Sequence, residues 1–250
     1  MELIIPDWSA LPMNVGALST TRRGGVSLAP YDDGAGSGGL NLGVHVGDAL
    51  DRVLCNRALL RRLLPGEPVW LNQVHGSRVL DAASAGDSPE ADACIATQAG
   101  VICAIQTADC LPVLFCDTVG SIVGAAHAGW RGLAGGVLED TLSCMRAAGA
   151  GEITAWMGPA IGPQCFEVGQ DVFDAFAGRD PEAADAFKPL HGQDGKYLAD
   201  IYSLARRTLR KSGVEKVFGG GRCTMTEKDL FYSYRRDKTT GRMASLIWLK

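Results

Sequence analysis

His75, Cys110 and His127 are the side chains of this sequence best suited to chemistry. Each stands at or just after the end of an apolar run: "PVWLNQVH" (68–75), "VICAIQTADC" (101–110) and "SIVGAAH" (121–127). Strand ends in α/β sheets are where ligand sites gather, so neighbouring strands would bring the three together. Imidazole and thiolate both suit Zn²⁺, and three protein ligands leave a fourth position open for water or substrate. The separations, 35 and 17 residues, follow no zinc-finger spacing. The same residues support a metal-free reading, with Cys110 as nucleophile, His127 or His75 as its base, and Asp109 orienting that base. A third reading is structural: a buried thiol, turn or core histidines, and an Asp109 that opens a turn into Leu111 and Pro112.

Around these residues lie groups that could shape a pocket. In "HAGWRG" (127–132), Gly129 and Gly132 permit close approach, Trp130 offers a flat face and Arg131 a cation. "MGPAIGP" (157–163) reads as a rigid loop after a strand; it lacks the lysine of a P-loop. "SYRRD" (233–237) places Arg235 and Arg236 at an expected strand end, where alternation lets at most one enter a site. The arginines of "TTRRGG" (20–25) and Arg57 are further cations of a kind that meets phosphate.

The elements that must hold these groups follow from hydrophobic patterning. Short apolar runs bounded by Gly, Pro or Asp predict strands at 68–75, 100–108, 111–117, 121–127, 152–158, 214–221, 230–236 and 243–249. Helical stripes cover 50–64, 135–149 and 198–213, the latter two ending in glycine. Mixed strands and helices predict an α/β (α+β) fold with buried sheet. The stretch "DDGAGSGG" (32–39) reads as a surface loop too short to separate domains, so 1–250 is expected to be one domain.

Composition sets outer bounds. The 250 residues are 46% hydrophobic and 21% charged, with net charge −4, which argues against a nucleic-acid binder. No apolar run reaches the roughly 18–20 residues of a membrane span, and the N-terminus has no signal-peptide pattern, so a cytoplasmic, non-membrane location is expected. The eight cysteines form no C-x-x-C pair and read as free thiols in a reducing compartment.

Together the motifs "STTRRGGVSLAPY", "LNLGVHVGD", "QVHG", "TADCLPVLF", "HAGWRGL", "GPAIGP", "FEVG" and "FYSYRRDKTTGRMASLIW" resemble one family. It is that of the polyphenol-oxidase or laccase-domain proteins, also described as zinc-dependent purine nucleoside phosphorylases and as peptidoglycan editing factors. The resemblance runs from residue 19 to 248. It implies layered β-sheets flanked by helices, similar to the catalytic domain of cytotoxic necrotizing factor toxins. It implies zinc at His75, Cys110 and His127, with copper as the alternative metal. It implies phosphorolysis of adenosine, inosine, guanosine and methylthioadenosine, and deamination of adenosine; the small-molecule partners are then purine nucleosides and phosphate. On that reading Arg57 or Arg236 is expected to hold phosphate. Asn41, Asn72 and Glu167 are expected to read sugar or base, and Asp109 or Glu167 to move a proton. Two alternatives stay beside it: copper-dependent phenol oxidation, and cysteine or zinc amidase chemistry on cell-wall precursors. Four histidines are too few for a multicopper cluster. The sequence departs from the family pattern at Phe166, where tyrosine is common, and in the long 32–39 loop, which could alter substrate preference if it lines the pocket mouth.

Overall fold

The computed structural model describes residues 1–250. From the N-terminus the chain forms β1 (Leu3–Ile4), β2 (Val15–Thr20), β3 (Arg23–Ser27), α1 (Leu50–Arg61), β4 (Pro68–Trp70), β5 (Val79–Asp81), β6 (Ala93–Ala96) and β7 (Ile102–Thr107). There follow β8 (Leu111–Asp117), β9 (Val123–Ala128), α2 (Trp130–Gly135), α3 (Val137–Ala147), β10 (Ile153–Met157), β11 (Glu167–Gly169), α4 (Gln170–Ala177) and β12 (Phe187–Pro189). The last elements are β13 (Lys196–Ala199), α5 (Ile201–Lys211), β14 (Val217–Gly219), α6 (Tyr234–Asp237) and β15 (Met243–Leu249).

These strands make a five-stranded sheet, β1-β2-β15-β7-β4, a six-stranded sheet, β14-β10-β8-β9-β6-β5, and a small sheet, β11-β13-β12. The two large sheets pack face to face, and strand alternation shows how. On β7, Cys103 and Ile105 point into a core shared with Leu114, Cys116, Val123 and Ala125 of β8 and β9. The alternate residues Ile102 and Ala104 point the other way, to Leu60 and Leu64 at the C-terminal end of α1 and just beyond it. On β8, Leu111, Val113 and Phe115 turn outward onto Leu138 and Leu142 of α3 and Leu204 and Leu209 of α5. The result is layered: α1, five-stranded sheet, six-stranded sheet, then α3 with α5. Burying each large aliphatic or aromatic side chain contributes about 1.5–3 kcal/mol. Both faces of β7 and β8 are buried, which is why those runs are continuously apolar. No helix is long and apolar enough to cross a membrane.

The structure corrects several expected elements. The strand expected over 68–75 stops at Trp70, and His75 lies in the loop beyond it. Pairing to β7 continues through a side chain instead: Gln73 Nε2 donates to the Gln106 carbonyl and the Gln106 N–H donates to Gln73 Oε1, both at 2.8 Å. No strand forms over 230–236; Tyr234–Asp237 is a helical turn capped by Ser233 Oγ, which accepts from the Arg236 N–H at 3.2 Å. The aromatic β-propensity of "LFYSY" yields there to a local cap. "HAGWRG" spans two elements: His127 is within β9 and Trp130 begins α2. The helix expected over 135–149 is α3 alone, separated from α2 by Gly136, whose φ of +102° is left-handed.

Candidate metal centre

The three candidate ligands arrive at one edge of the sandwich by three routes. Ala108–Cys110 is the link where the chain leaves β7 in one sheet and enters β8 in the other. His127 is on β9, paired with Pro112 of β8, one pair from the mouth of that link. His75 comes from the loop after β4, the parallel neighbour of β7. Two backbone positions are strained to reach this geometry: His75 at φ +63° and Asp109 at φ +96°, conformations that cost about 1–3 kcal/mol each in ordinary residues.

The donor atoms of His75, Cys110 and His127 all lie within 4.8 Å of one another, and Cys110 Sγ is 3.8 Å from His75 Nε2. Tetrahedral zinc with Zn–S near 2.3 Å and Zn–N near 2.05 Å needs ligand spacings of about 3.4–3.6 Å. The Cys110–His75 edge is within a few tenths of an ångström of that spacing, while the widest edge of the trio, up to 4.8 Å, would close by about 1 Å around a metal. His75 is exposed, Cys110 half-buried and His127 buried, so the open side faces His75.

Asp92, which the sequence reading did not single out, organises the centre. Its carboxylate is fully buried and accepts the backbone N–H groups of Val74, His75 and Gly76 at 2.7–3.1 Å. It also bonds His127 Nδ1 at 2.7 Å, fixing the tautomer that leaves Nε2 for the centre. One carboxylate thus aligns the ring of one candidate ligand and holds the loop of another. Burial would raise the Asp92 carboxyl, but the His127 hydrogen bond and charge and the Gly76 and Val74 N–H groups outweigh it and hold the carboxyl below its ordinary range. The signal for it in the sequence was an acid inside the small, apolar run "ADACIA".

Charge at the trio favours thiolate. Burial alone would push the Cys110 thiol up; the charge and hydrogen bond of His127, with those of His75, bring it down to about 6. Burial would lower His127, yet Cys110 and Asp92 draw it up to about 9. The thiolate is the form that binds metal, and His127 gives up its Nε2 proton to bind the same ion while Nδ1–H stays on Asp92.

Gly129 explains why "HAGWRG" has glycine at its third position. A Cβ built there would lie 3.0 Å from both Cys110 Sγ and His75 Cδ2, and 3.6 Å from His127 Cε1. The missing side chain is the space beneath the three ligands. Gly129→Val is expected to weaken metal binding about 10–100-fold although every ligand is retained. Competition with a chromophoric chelator measures this; unchanged affinity would remove Gly129 from the account.

Two lobes of cavity meet at His75, Cys110, Ala108 and Tyr234. One, about 250 Å³, is walled mainly by Trp130, Ile161, Phe166 and Tyr234. Arg131 stacks on Trp130 at 4.3 Å, and Arg235 lies 5.8 Å over Phe166. The other, about 430 Å³, is polar, with His45, Gln106, Thr107 and Arg242. Burial, then the charges of Arg242 and Arg57, lower His45 and favour its neutral form.

The remaining expected site residues lie elsewhere or are already bonded. Asp109 lines the apolar lobe, but Oδ1 accepts from the Thr224 hydroxyl and Oδ2 from the Arg235 N–H, both at 2.6 Å. Arg236 donates to the carbonyls of Thr224, Met225 and Phe231 and pairs with Asp237. Arg57 donates to the Leu42 carbonyl and stacks on Trp70 at 4.2 Å. Asn41 is buried and braces Gly43, Asp48 and Arg242. Asn72 bridges to Glu90, and Glu167 is exposed, 3.9 Å from Lys196. Neither lobe is lined by any of Asn41, Arg57, Asn72, Glu167 or Arg236, nor by the 32–39 loop.

The fold and this centre define a mixed α/β protein with a possible His–Cys–His metal site at the edge of a two-sheet core. The family model described as "Multi-copper polyphenol oxidoreductase laccase" matches residues 16–250, and the chain belongs to that family. It is 55% identical over 251 residues to the "Purine nucleoside phosphorylase YfiH" of Escherichia coli (strain K12), with 99% of each chain covered. It is 47% identical over 252 residues to the "Purine nucleoside phosphorylase" of Haemophilus influenzae, with 100% of each covered. A solved Neisseria meningitidis structure matches with a TM-score of 0.92 at 50% identity, covering 100% of both chains. YlmD from Geobacillus stearothermophilus matches at a TM-score of 0.84 and 33% identity, covering 95% of this chain and 93% of that one.

Proposed function

We propose that this protein is a zinc-dependent purine nucleoside phosphorylase acting on adenosine, inosine, guanosine and methylthioadenosine, and that the same centre deaminates adenosine. The observation that carries the reading is the convergence of His75, Cys110 and His127 between an apolar and a polar cavity lobe, in a chain whose near relatives are named for this reaction. Zinc held by His75, Cys110 and His127 would supply a Lewis acid. The chain's own residues bind and orient. Trp130, Phe166 and Tyr234 give the apolar lobe flat faces for a purine, and Ile161 helps exclude water. Asp92 orients the His127 ring and holds the backbone of the loop that carries His75. With both carboxylate oxygens bonded, Asp109 acts as a positioning residue that ties the Cys110 link to Thr224 and Arg235.

The shared site has a direct test. His75→Ala is expected to lose inosine phosphorolysis and adenosine deamination together, while leaving out phosphate stops only phosphorolysis in the wild type. Chromatography of the products from adenosine and inosine reads both. Deamination surviving at the wild-type rate in His75→Ala would place it at a different site.

A second reading has its own observation. Without metal, Cys110, His127 and Asp92 form a thiol–imidazole–carboxylate series, the arrangement of a cysteine hydrolase suited to amide bonds such as those of cell-wall precursors. Activity on a peptidoglycan precursor that rises on chelation and falls on adding zinc would select it. The oxidase reading has less support: beyond the trio only His45 and His191 remain as imidazoles, and no second cluster of three metal-binding side chains forms.

A further inference from the structure

We infer that the polar lobe beside Cys110 is an oxyanion subsite, built by Arg242 with Gln106 and His45, and that inorganic phosphate is its ligand. The assignment of phosphate rests on the phosphorylase reading above.

Three independent features point to a missing ligand. Arg242 lines the lobe with Cys110 and has no carboxylate partner; only its Nη1 is used, on the Thr240 and Gly241 carbonyls at 3.0 Å. That leaves Nε and Nη2 as an open fork, which matches two oxygens of a tetrahedral anion. Gln106 is only 5% exposed, yet its buried carboxamide oxygen has no hydrogen-bond partner. An unpaired buried polar group is costly unless a ligand completes it. Once the carboxamide turns toward the lobe that the residue lines, a hydrogen phosphate can do so, donating its O–H to Gln106 Oε1 and accepting from the amide. His45, the third polar group, lies on the same wall, and its neutral form can donate one ring N–H to an oxygen without needing a counter-ion.

The arrangement also separates the partners of the reaction. The apolar lobe suits the base and the polar lobe the anion, with the ligand trio at their junction. Ribose C1′ then lies between them. In phosphorolysis the C1′–N bond breaks with its electron pair going to the purine, and a phosphate oxygen forms the new C1′–O bond. The proton of hydrogen phosphate balances the one gained by the departing base. The other expected arginines are less suited: Arg236 is spent on three carbonyls and Asp237, and Arg57 does not line the lobe.

The experiment is a phosphate titration of inosine phosphorolysis by the zinc-loaded protein, paired with calorimetry of inorganic phosphate binding. Arg242→Ala is expected to raise the phosphate KM by about 10–100-fold while the inosine KM stays within about twofold. Arg242→Lys should recover part of the loss, and Gln106→Leu should raise the phosphate KM about fivefold. The last two carry the test if the alanine variant does not fold. A raised inosine KM with an unchanged phosphate KM would give the lobe to the nucleoside and overturn the inference. If the wild type releases no base with phosphate present, the phosphorylase reading has failed and calorimetry decides alone. Phosphate heat lost in Arg242→Ala but kept in Arg23→Ala, an exposed control, then supports the subsite; equal heats in the two variants overturn it.

Discussion

Cys110→Ala protein is expected to bind zinc more than about 100-fold more weakly than wild type and to lose phosphorolysis with it. Removing an outer partner of a metal ligand already costs about 10–100-fold, and removing the only thiolate costs more. What remains is two imidazoles, one of them on an exposed loop. The fold should persist, because Cys110 is a small, half-buried link residue and the apolar packing of β7 and β8 does not depend on its sulfur. Metal analysis after dialysis, together with far-ultraviolet circular dichroism, separates the two effects. Full zinc occupancy in this variant would refute the ligand assignment.

Asp92→Ala is expected to damage both stability and metal binding. It leaves three backbone N–H groups of the 74–76 loop and the His127 ring without their buried acceptor. Breaking a buried charged network of this kind costs about 3–5 kcal/mol. Metal affinity should fall by at least about 10–100-fold, since both histidines lose their alignment. The sign with pH follows from the depressed carboxyl. A carboxyl near 3.9 when unfolded and lower when folded contributes stability that is fully present above that range and is lost as pH falls below it. Metal-free wild type should therefore lose stability on acidification through pH 4, with a shallower slope in Asp92→Asn. Chemical denaturation from pH 3 to 7 measures this, and parallel slopes would remove Asp92 as the responsible group.

That His75, Cys110 and His127 come together was legible in the sequence because histidine is rare and each of the three stands at the end of an apolar run, in "QVHG", "TADCLP" and "HAGWRG". The buried strands were legible because those covered on both faces, such as Leu111–Asp117, are apolar throughout, while their layering followed only from the family resemblance. The polar residues of the site were harder. Arg236, Arg57 and Asn41 have side chains of the right type, but each is committed to backbone groups of its own surroundings, which sequence spacing does not reveal. Arg242, in contrast, sits in "TTGRMASLIW" with no local feature to mark it, and only the fold brings it beside Cys110. At Gln73 the alternation of a strand continues into a segment where a carboxamide, not a backbone strand, bonds β7. At Ser233 a single hydroxyl turns an aromatic run into a helical turn.

The trio of His75, Cys110 and His127 is expected to support phosphorolysis with zinc bound. The most direct measurement is product analysis of inosine incubated with phosphate and copper-free protein carrying one zinc per chain. The account predicts hypoxanthine and ribose 1-phosphate in equal amounts, absent without phosphate and absent after zinc removal. Zinc-loaded protein that leaves inosine intact, while copper addition alone brings phenol oxidation, would contradict it.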